Sequence, residues 1–163
     1  MRQARLLKIG ALYHVSARVN HKEKLLDRMN GRELFLAVLA QAKRKFTFSI
    51  QNFVVLDNHF HLLIQPGKGE NLSRIMHWVL GVFAMRLNRL LGLWGHVWGD
   101  RFRSWIVEDI SARLRVFCYI ERNAVAAGLA KRPCEWQSSA AFHWKAGIHL
   151  IVGPPPPGYP VDG

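Results

Sequence analysis

The chain has 163 residues, half of them hydrophobic, a length that suits one domain with a real core. Lys and Arg outnumber Asp and Glu by 23 to 11, and a formal charge of +12 gathers polyanions; the alternation of basic residues with aromatics points to nucleic acid, and no membrane partner is expected. Two cysteines exclude a disulfide scaffold and lack zinc spacing, and no apolar stretch approaches the roughly 20 residues of a membrane span.

The N-terminal "MRQARLLKIGALYHV" lacks the long apolar core of a signal peptide, so a soluble, cytoplasmic protein is expected. Residues 11–19, "ALYHVSARV", alternate with period two: Leu12, His14, Ser16 and Arg18 on one side, Tyr13, Val15, Ala17 and Val19 on the other. This predicts a strand with a basic polar face. In "NGRELFLAVLAQAKRKF", Asn30 and Glu33 resemble a capping box, and Leu34, Phe35, Val38, Leu39 and Ala42 form a helical stripe. Residues 48–56 read as a second strand, "DN" at 57–58 as a turn, and residues 59–65 as a third strand hairpinned to the second. After the loop "PGKGEN" comes a long helix, 72–91, with Leu72, Ile75, Met76, Val79, Phe83, Leu87 and Leu90 on one stripe.

A glycine- and tryptophan-rich connection, "GLWGHVWGD", leads to a fourth strand at 101–107. Asp109 or Ser111 caps a third helix that runs to about residue 127, with Val116, Phe117, Ile120, Ala124 and Ala127 as its core stripe. Cys118, in this apolar stretch, reads as core. The end, "GPPPPGYPVDG", reads as a disordered or extended tail, so residues 1–150 form one domain and 151–163 a proline-rich tail. The order β-α-β-β-α-β-α fits an α+β fold of the ferredoxin-like, split-βαβ kind: a four-stranded antiparallel sheet with two helices on one face, the other face free as a working surface and the extra, third helix packed beside it.

In "VVLDNHFHLLIQP", His59 and His61 stand two apart on a strand and project from the same face, while Phe60, Leu62 and Ile64 enter the core. Adjacent imidazoles make half of a metal site, but a bare H-x-H needs partners. The third helix offers them. Tyr119 and Asn123 are four apart on one helical face, with Arg115 and Arg122 along the same side. The amide oxygen is a credible third ligand. Arg18, Arg101, Arg103, Arg115 and Arg122 are placed to track a phosphate backbone, and Trp94, Trp98 and Trp105 to stack on bases, although at least two of the three tryptophans are expected in the core.

These stretches resemble the single-tyrosine transposases that carry a histidine–hydrophobe–histidine motif, and most of all the REP-associated tyrosine transposase-like proteins. The resemblance spans roughly residues 9–141. It rests on "NHFHLLIQP", "YHVSARVN", "GHVWGDRFRS", "YIERNAVAAGL" and "WQSSA". It implies that His59, His61 and Asn123 hold a divalent metal ion, Mg²⁺ or Mn²⁺, and that Tyr119 is the nucleophile. Many relatives have proline where Asp57 and Ala124 stand.

The implied activity is cleavage and rejoining of single-stranded or hairpin DNA through a 5′-phosphotyrosine, by a monomer or homodimer at the bacterial nucleoid. Relaxases that resemble this site place the tyrosine before the histidines, whereas Tyr119 follows them. The alternative is a domesticated nucleic-acid-binding module that has lost turnover; the missing RNP-type aromatic signature counts against an RNA-binding sheet.

Overall fold

The computed structural model describes residues 8–161. Its strands are β1 (Leu12–Arg18), β2 (Phe48–Val55), β3 (His59–Pro66) and β4 (Arg103–Val107). Its helices are α1 (Gly31–Lys45), α2 (Leu72–Leu91), α3 (Ile110–Ala126) and a short α4 (Ala140–Lys145). The strands form one antiparallel sheet in the order β2-β3-β1-β4, the ferredoxin-like arrangement expected. No helix among the described residues is long and apolar enough to cross a membrane.

Period-two alternation sorts the sheet. Tyr13, Val15 and Ala17 of β1 and Phe60, Leu62 and Ile64 of β3 point to one face, where α1 and α2 cover them. α1 contributes Phe35, Val38, Leu39 and Ala42, and α2 contributes Leu72, Ile75, Met76, Val79, Phe83 and Leu87. Leu90 lies beyond this stripe and is exposed. Phe35 stands at the centre, with ring centroids 4.6 Å from Phe60 and 5.3 Å from Phe83.

The opposite face carries a smaller apolar cluster in which Val54, Leu56 and Leu63 meet Ile120 and Ala124 of α3. α3 begins at Asp109, whose carboxylate accepts from the Ala112 N–H at 2.6 Å. Ala127 lies outside its buried stripe, and Cys118 is exposed rather than core, because it sits on the side turned away from Ile120 and Ala124.

Two other details differ from the sequence reading. Asn30 does not cap α1 with its side chain; its φ of 57° is left-handed, which aims the side chain elsewhere. β4 starts at Arg103, two residues later than expected.

The largest difference is the proline-rich end. Prolines keep it out of helix and sheet, yet it lies against the body up to Val161; residues 162 and 163 fall outside the described residues. Ile151 and Val152 are buried, and the Trp144 indole donates to the Gly153 carbonyl at 2.8 Å. The Tyr159 ring packs on Trp144 at 4.8 Å and on Phe117 of α3 at 6.1 Å, and its hydroxyl donates to the Glu121 carboxylate. Asn52 of β2 donates to the other Glu121 oxygen at 3.1 Å. The back of α3 is thus gripped by the sheet and by the C-terminal segment together.

Phe35→Ala should empty the centre of the main core. We expect a loss of about 3–5 kcal/mol in unfolding free energy, read from urea denaturation.

Candidate active site

The polar face of the sheet faces α3. Because the side-chain period is two, β1 presents His14, Ser16 and Arg18 there, β3 presents His59 and His61, and β4 presents Arg103 and Trp105. Register then makes neighbours of residues far apart in the chain. Arg18 lies opposite His59, Ser16 lies between His61 and Arg103, and His14 lies between Leu63 and Trp105.

The two-residue turn at Asp57 and Asn58 joins β2 to β3 and starts the histidine strand. It closes with Leu56 N–H donating to the His59 carbonyl at 2.8 Å. The Asp57 carbonyl accepts from Leu26 N–H at 3.0 Å, and the Asn58 carbonyl from Val19 N–H at 2.8 Å. The Asp57 carboxylate pairs with Arg32 at 2.8 Å and Lys24 at 3.7 Å. An aspartate here, where proline is common in the family resembled, anchors the turn through charge. Ala124, the other departure, is buried against Val54 and Leu63.

Each histidine is held at Nδ1. The Asn58 amide donates to the Lys22 carbonyl at 3.1 Å, which turns its oxygen toward His59 Nδ1 at 2.7 Å. That nitrogen therefore carries the proton, and Nε2 keeps a lone pair. His61 Nδ1 lies 2.9 Å from His14 Nε2, while His61 Nε2 is buried with no hydrogen-bond partner among the described residues. The His59 and His61 rings meet edge to face at 5.2 Å.

α3 completes the site. The Tyr119 ring stands 5.1 Å from His61 and 5.8 Å from His14, with half of its surface exposed. One turn later, the Asn123 side chain lies beside the His59 ring and favours its charged form. The space in front of these groups is a cavity of about 680 Å³, with His59, His61 and Tyr119 in its wall beside Arg18, Arg101 and Arg103. Arg115 and Arg122 are exposed and lie outside that wall; Arg115 donates to Ser111 at 2.6 Å instead.

The tryptophans divide otherwise than expected. Trp98 is the core residue, packed with Phe35, Phe60 and Phe83 and donating to the Leu80 carbonyl at 3.1 Å. Trp94 is 92% exposed, and Trp105 is half exposed at the cavity, 5.3 Å from His14.

Burial disfavours an imidazolium here. His61 is lowered to about 3, first by burial and then by the nearby His14, His59 and Arg18. His59 is lowered by burial and by Arg18, against opposing pulls from Asn123 and Asp57. Both rings are neutral at pH 7, the form that binds metal. Two imidazole nitrogens and an amide oxygen suit Mn²⁺ or Mg²⁺. Among the described residues, no group of three His, Cys, Asp or Glu side chains could hold a metal ion.

The sequence profile of the family described as "Transposase IS200 like" matches residues 8–123. The chain belongs to that family. The solved structure of a REP-associated tyrosine transposase bound to a REP hairpin matches with a TM-score of 0.78 at 22% identity, over all of this chain and 90% of the other. A putative transposase from Deinococcus radiodurans matches with a TM-score of 0.52 at 16% identity, over 75% of this chain and 97% of the other. None of the curated proteins compared with the chain matches it. At these identities the solved structures establish the fold, which this IS200-like chain shares with the hairpin-bound transposase.

Sequence reasoning placed His14 on the polar face of β1 but gave it no part in the site. Its alternation with Ser16 and Arg18 was the available signal; the register that seats it beside His61 was not visible.

Since the folded His61 ring titrates near 3 and an unfolded one near 6.5, the unfolded chain binds a proton in that window that the folded chain refuses. Stability contributed by this refusal is complete above about pH 6.5 and is lost as pH falls, by roughly 1.4 kcal/mol per unit. With chelator present, the urea midpoint of the wild type should fall more steeply from pH 7 to pH 5 than that of His61→Gln.

Proposed function

We propose that this IS200-like chain is a metal-dependent endonuclease and strand transferase that acts on single-stranded DNA within hairpin-forming repeats, through a 5′-phosphotyrosine on Tyr119. The observation that carries this reading is the two-sided approach of α3. Tyr119 stacks its edge on His61, and Asn123, four residues on, contacts His59.

Arg18, Arg101 and Arg103 hold the backbone of the strand along the cavity. Tyr119 Oη attacks phosphorus in line, the bond from phosphorus to the 3′-oxygen breaks, the phenol proton passes to solvent and the leaving 3′-oxygen takes one up. A 3′-hydroxyl of the same or another strand reverses the step and releases Tyr119, so joining needs no external energy. Held by His59, His61 and Asn123, Mg²⁺ or Mn²⁺ would polarise the phosphoryl oxygens of the scissile group.

The four residues of the site come from one chain, which supports a site complete in a monomer. The choice of hairpin DNA is supported by the charge of +12 and by the REP hairpin that the similar transposase holds. Such a protein works on chromosomal DNA at the nucleoid.

Tyr119→Phe keeps the ring that packs on His61 and removes one oxygen. It should bind a labelled hairpin oligonucleotide as the wild type does, yet form no covalent adduct with Mn²⁺ present. An adduct that persists, or that maps to Tyr13 or Tyr159, sinks the assignment. Wild-type protein that binds but never forms an adduct would be a binding module. His59→Ala should lower metal-dependent cutting by at least a hundredfold in the same gel.

Binding should weaken steeply with salt, each neutralised phosphate adding about −0.7 to the slope of log K against log salt. Arg101→Gln should weaken all oligonucleotides alike and flatten the slope by about one such step, as measured by fluorescence anisotropy.

A further inference from the structure

We propose that His14 is a positioning residue that orients both His61 and Tyr119 without itself holding the metal. The inference rests on the reading of His59 and His61 as metal ligands and adds to it the group that aims one of them.

The two histidines are held alike, each at Nδ1. His59 is held at Nδ1 by an amide oxygen, which places the ring proton there and leaves Nε2 unprotonated. His61 is held at Nδ1 as well, but its partner is another imidazole, His14 Nε2 at 2.9 Å. Two tautomer arrangements satisfy that contact. If His14 were the donor, His61 would carry its proton on Nε2. That N–H would be buried, since the atom has no partner among the described residues. If His61 is the donor, Nδ1–H points at His14 and Nε2 presents a lone pair, as in His59. The second arrangement leaves no orphaned donor and gives both histidines the same unprotonated nitrogen.

His14 touches the nucleophile as well. Its ring meets Tyr119 edge to face at 5.8 Å and lies tilted on His61 at 5.1 Å. On its other side it rests on Trp105 at 5.3 Å, and it is seated on β1, the central strand that pairs with both β3 and β4. One side chain on a rigid strand thus limits the rotation of a ligand and of the attacking ring.

Three variants separate these roles. His14→Phe keeps a ring against Tyr119 and removes the nitrogen. His14→Gln returns an acceptor. His14→Ala removes both contacts. On DNA-free protein, titration calorimetry with Mn²⁺ should show a dissociation constant raised about tenfold or more in His14→Phe and largely recovered in His14→Gln. Saturating Mn²⁺ should then restore adduct formation in His14→Phe but not in His14→Ala.

Wild-type Mn²⁺ affinity in His14→Phe would overturn the inference. So would a complete loss of binding equal to that of His59→Ala, which would make His14 a ligand. Equal adduct rates in His14→Phe and His14→Ala at saturating metal would overturn the contact with Tyr119. Nitrogen-15 spectra of metal-free wild type give a check independent of any variant: a proton on His61 Nδ1 supports the inference, and one on Nε2 overturns it. If the wild type itself binds no Mn²⁺, the metal reading fails, an outcome distinct from failure of the role given to His14.

Discussion

A strand residue has two directions available, and moving a strand by one position exchanges them for every side chain it carries. The pairing of β1 with β3 is the contact on which the rest of this protein turns. With Arg18 opposite His59 and Ser16 opposite His61, the apolar partners Ala17, Phe60, Val15 and Leu62 enter the main core and the polar ones emerge under α3. Slipping β1 by one position would bury His14 and Arg18 among phenylalanines, slipping β3 would bury His59 and His61, and either would expose residues that hold the fold together. The hydrophobic core therefore enforces the geometry of the polar face. No separate device is needed to align His14, His61 and Trp105; they are the other side of the packing that α1 and α2 demand.

The polar face has its own costs, and they are met locally. His61 is nearly buried, which is tolerable because the ring stays neutral and its Nδ1 is engaged. Glu121, on the far side of α3, is a half-buried carboxyl raised by burial, and Asn52 and Tyr159 give it hydrogen bonds that moderate the rise. These two arrangements sit on opposite flanks of the same helix. Tyr119 and Asn123 look toward the sheet's histidines, while Phe117 and Glu121 look toward Trp144 and Tyr159.

What the sequence disclosed follows the range of the interaction. Pairs at i, i+2 or i, i+4 are local, so the common face of His59 and His61 and that of Tyr119 and Asn123 could be read directly. The stripes of α1 and α2 and the turn at Asp57 and Asn58 were legible for the same reason. Trp105 was legible too, had the alternation of Arg101 and Arg103 been carried one step further along β4. His14 was not, because its meeting with His61 depends on the register of strands 47 positions apart. Trp98 lies in an irregular connection with no period to classify it, so its place among Phe35, Phe60 and Phe83 left no mark. The docking of the proline-rich end was hidden by a sound local rule: prolines exclude regular structure, but they do not prevent a Tyr159 from finding an aromatic shelf.

The turn at Asp57 and Asn58 has a further bearing on how such chains diverge. Its backbone is fastened to Leu26 and to Val19, and its side chains to Arg32, Lys24 and Lys22, so it has no slack for an inserted or deleted residue. Length changes must be absorbed elsewhere, and the connection from α2 to β4 offers the room. That connection ends at Gly99, Asp100 and Arg101 on the rim of the cavity. An insertion in that connection would reshape the rim of the cavity while leaving the histidine strand untouched.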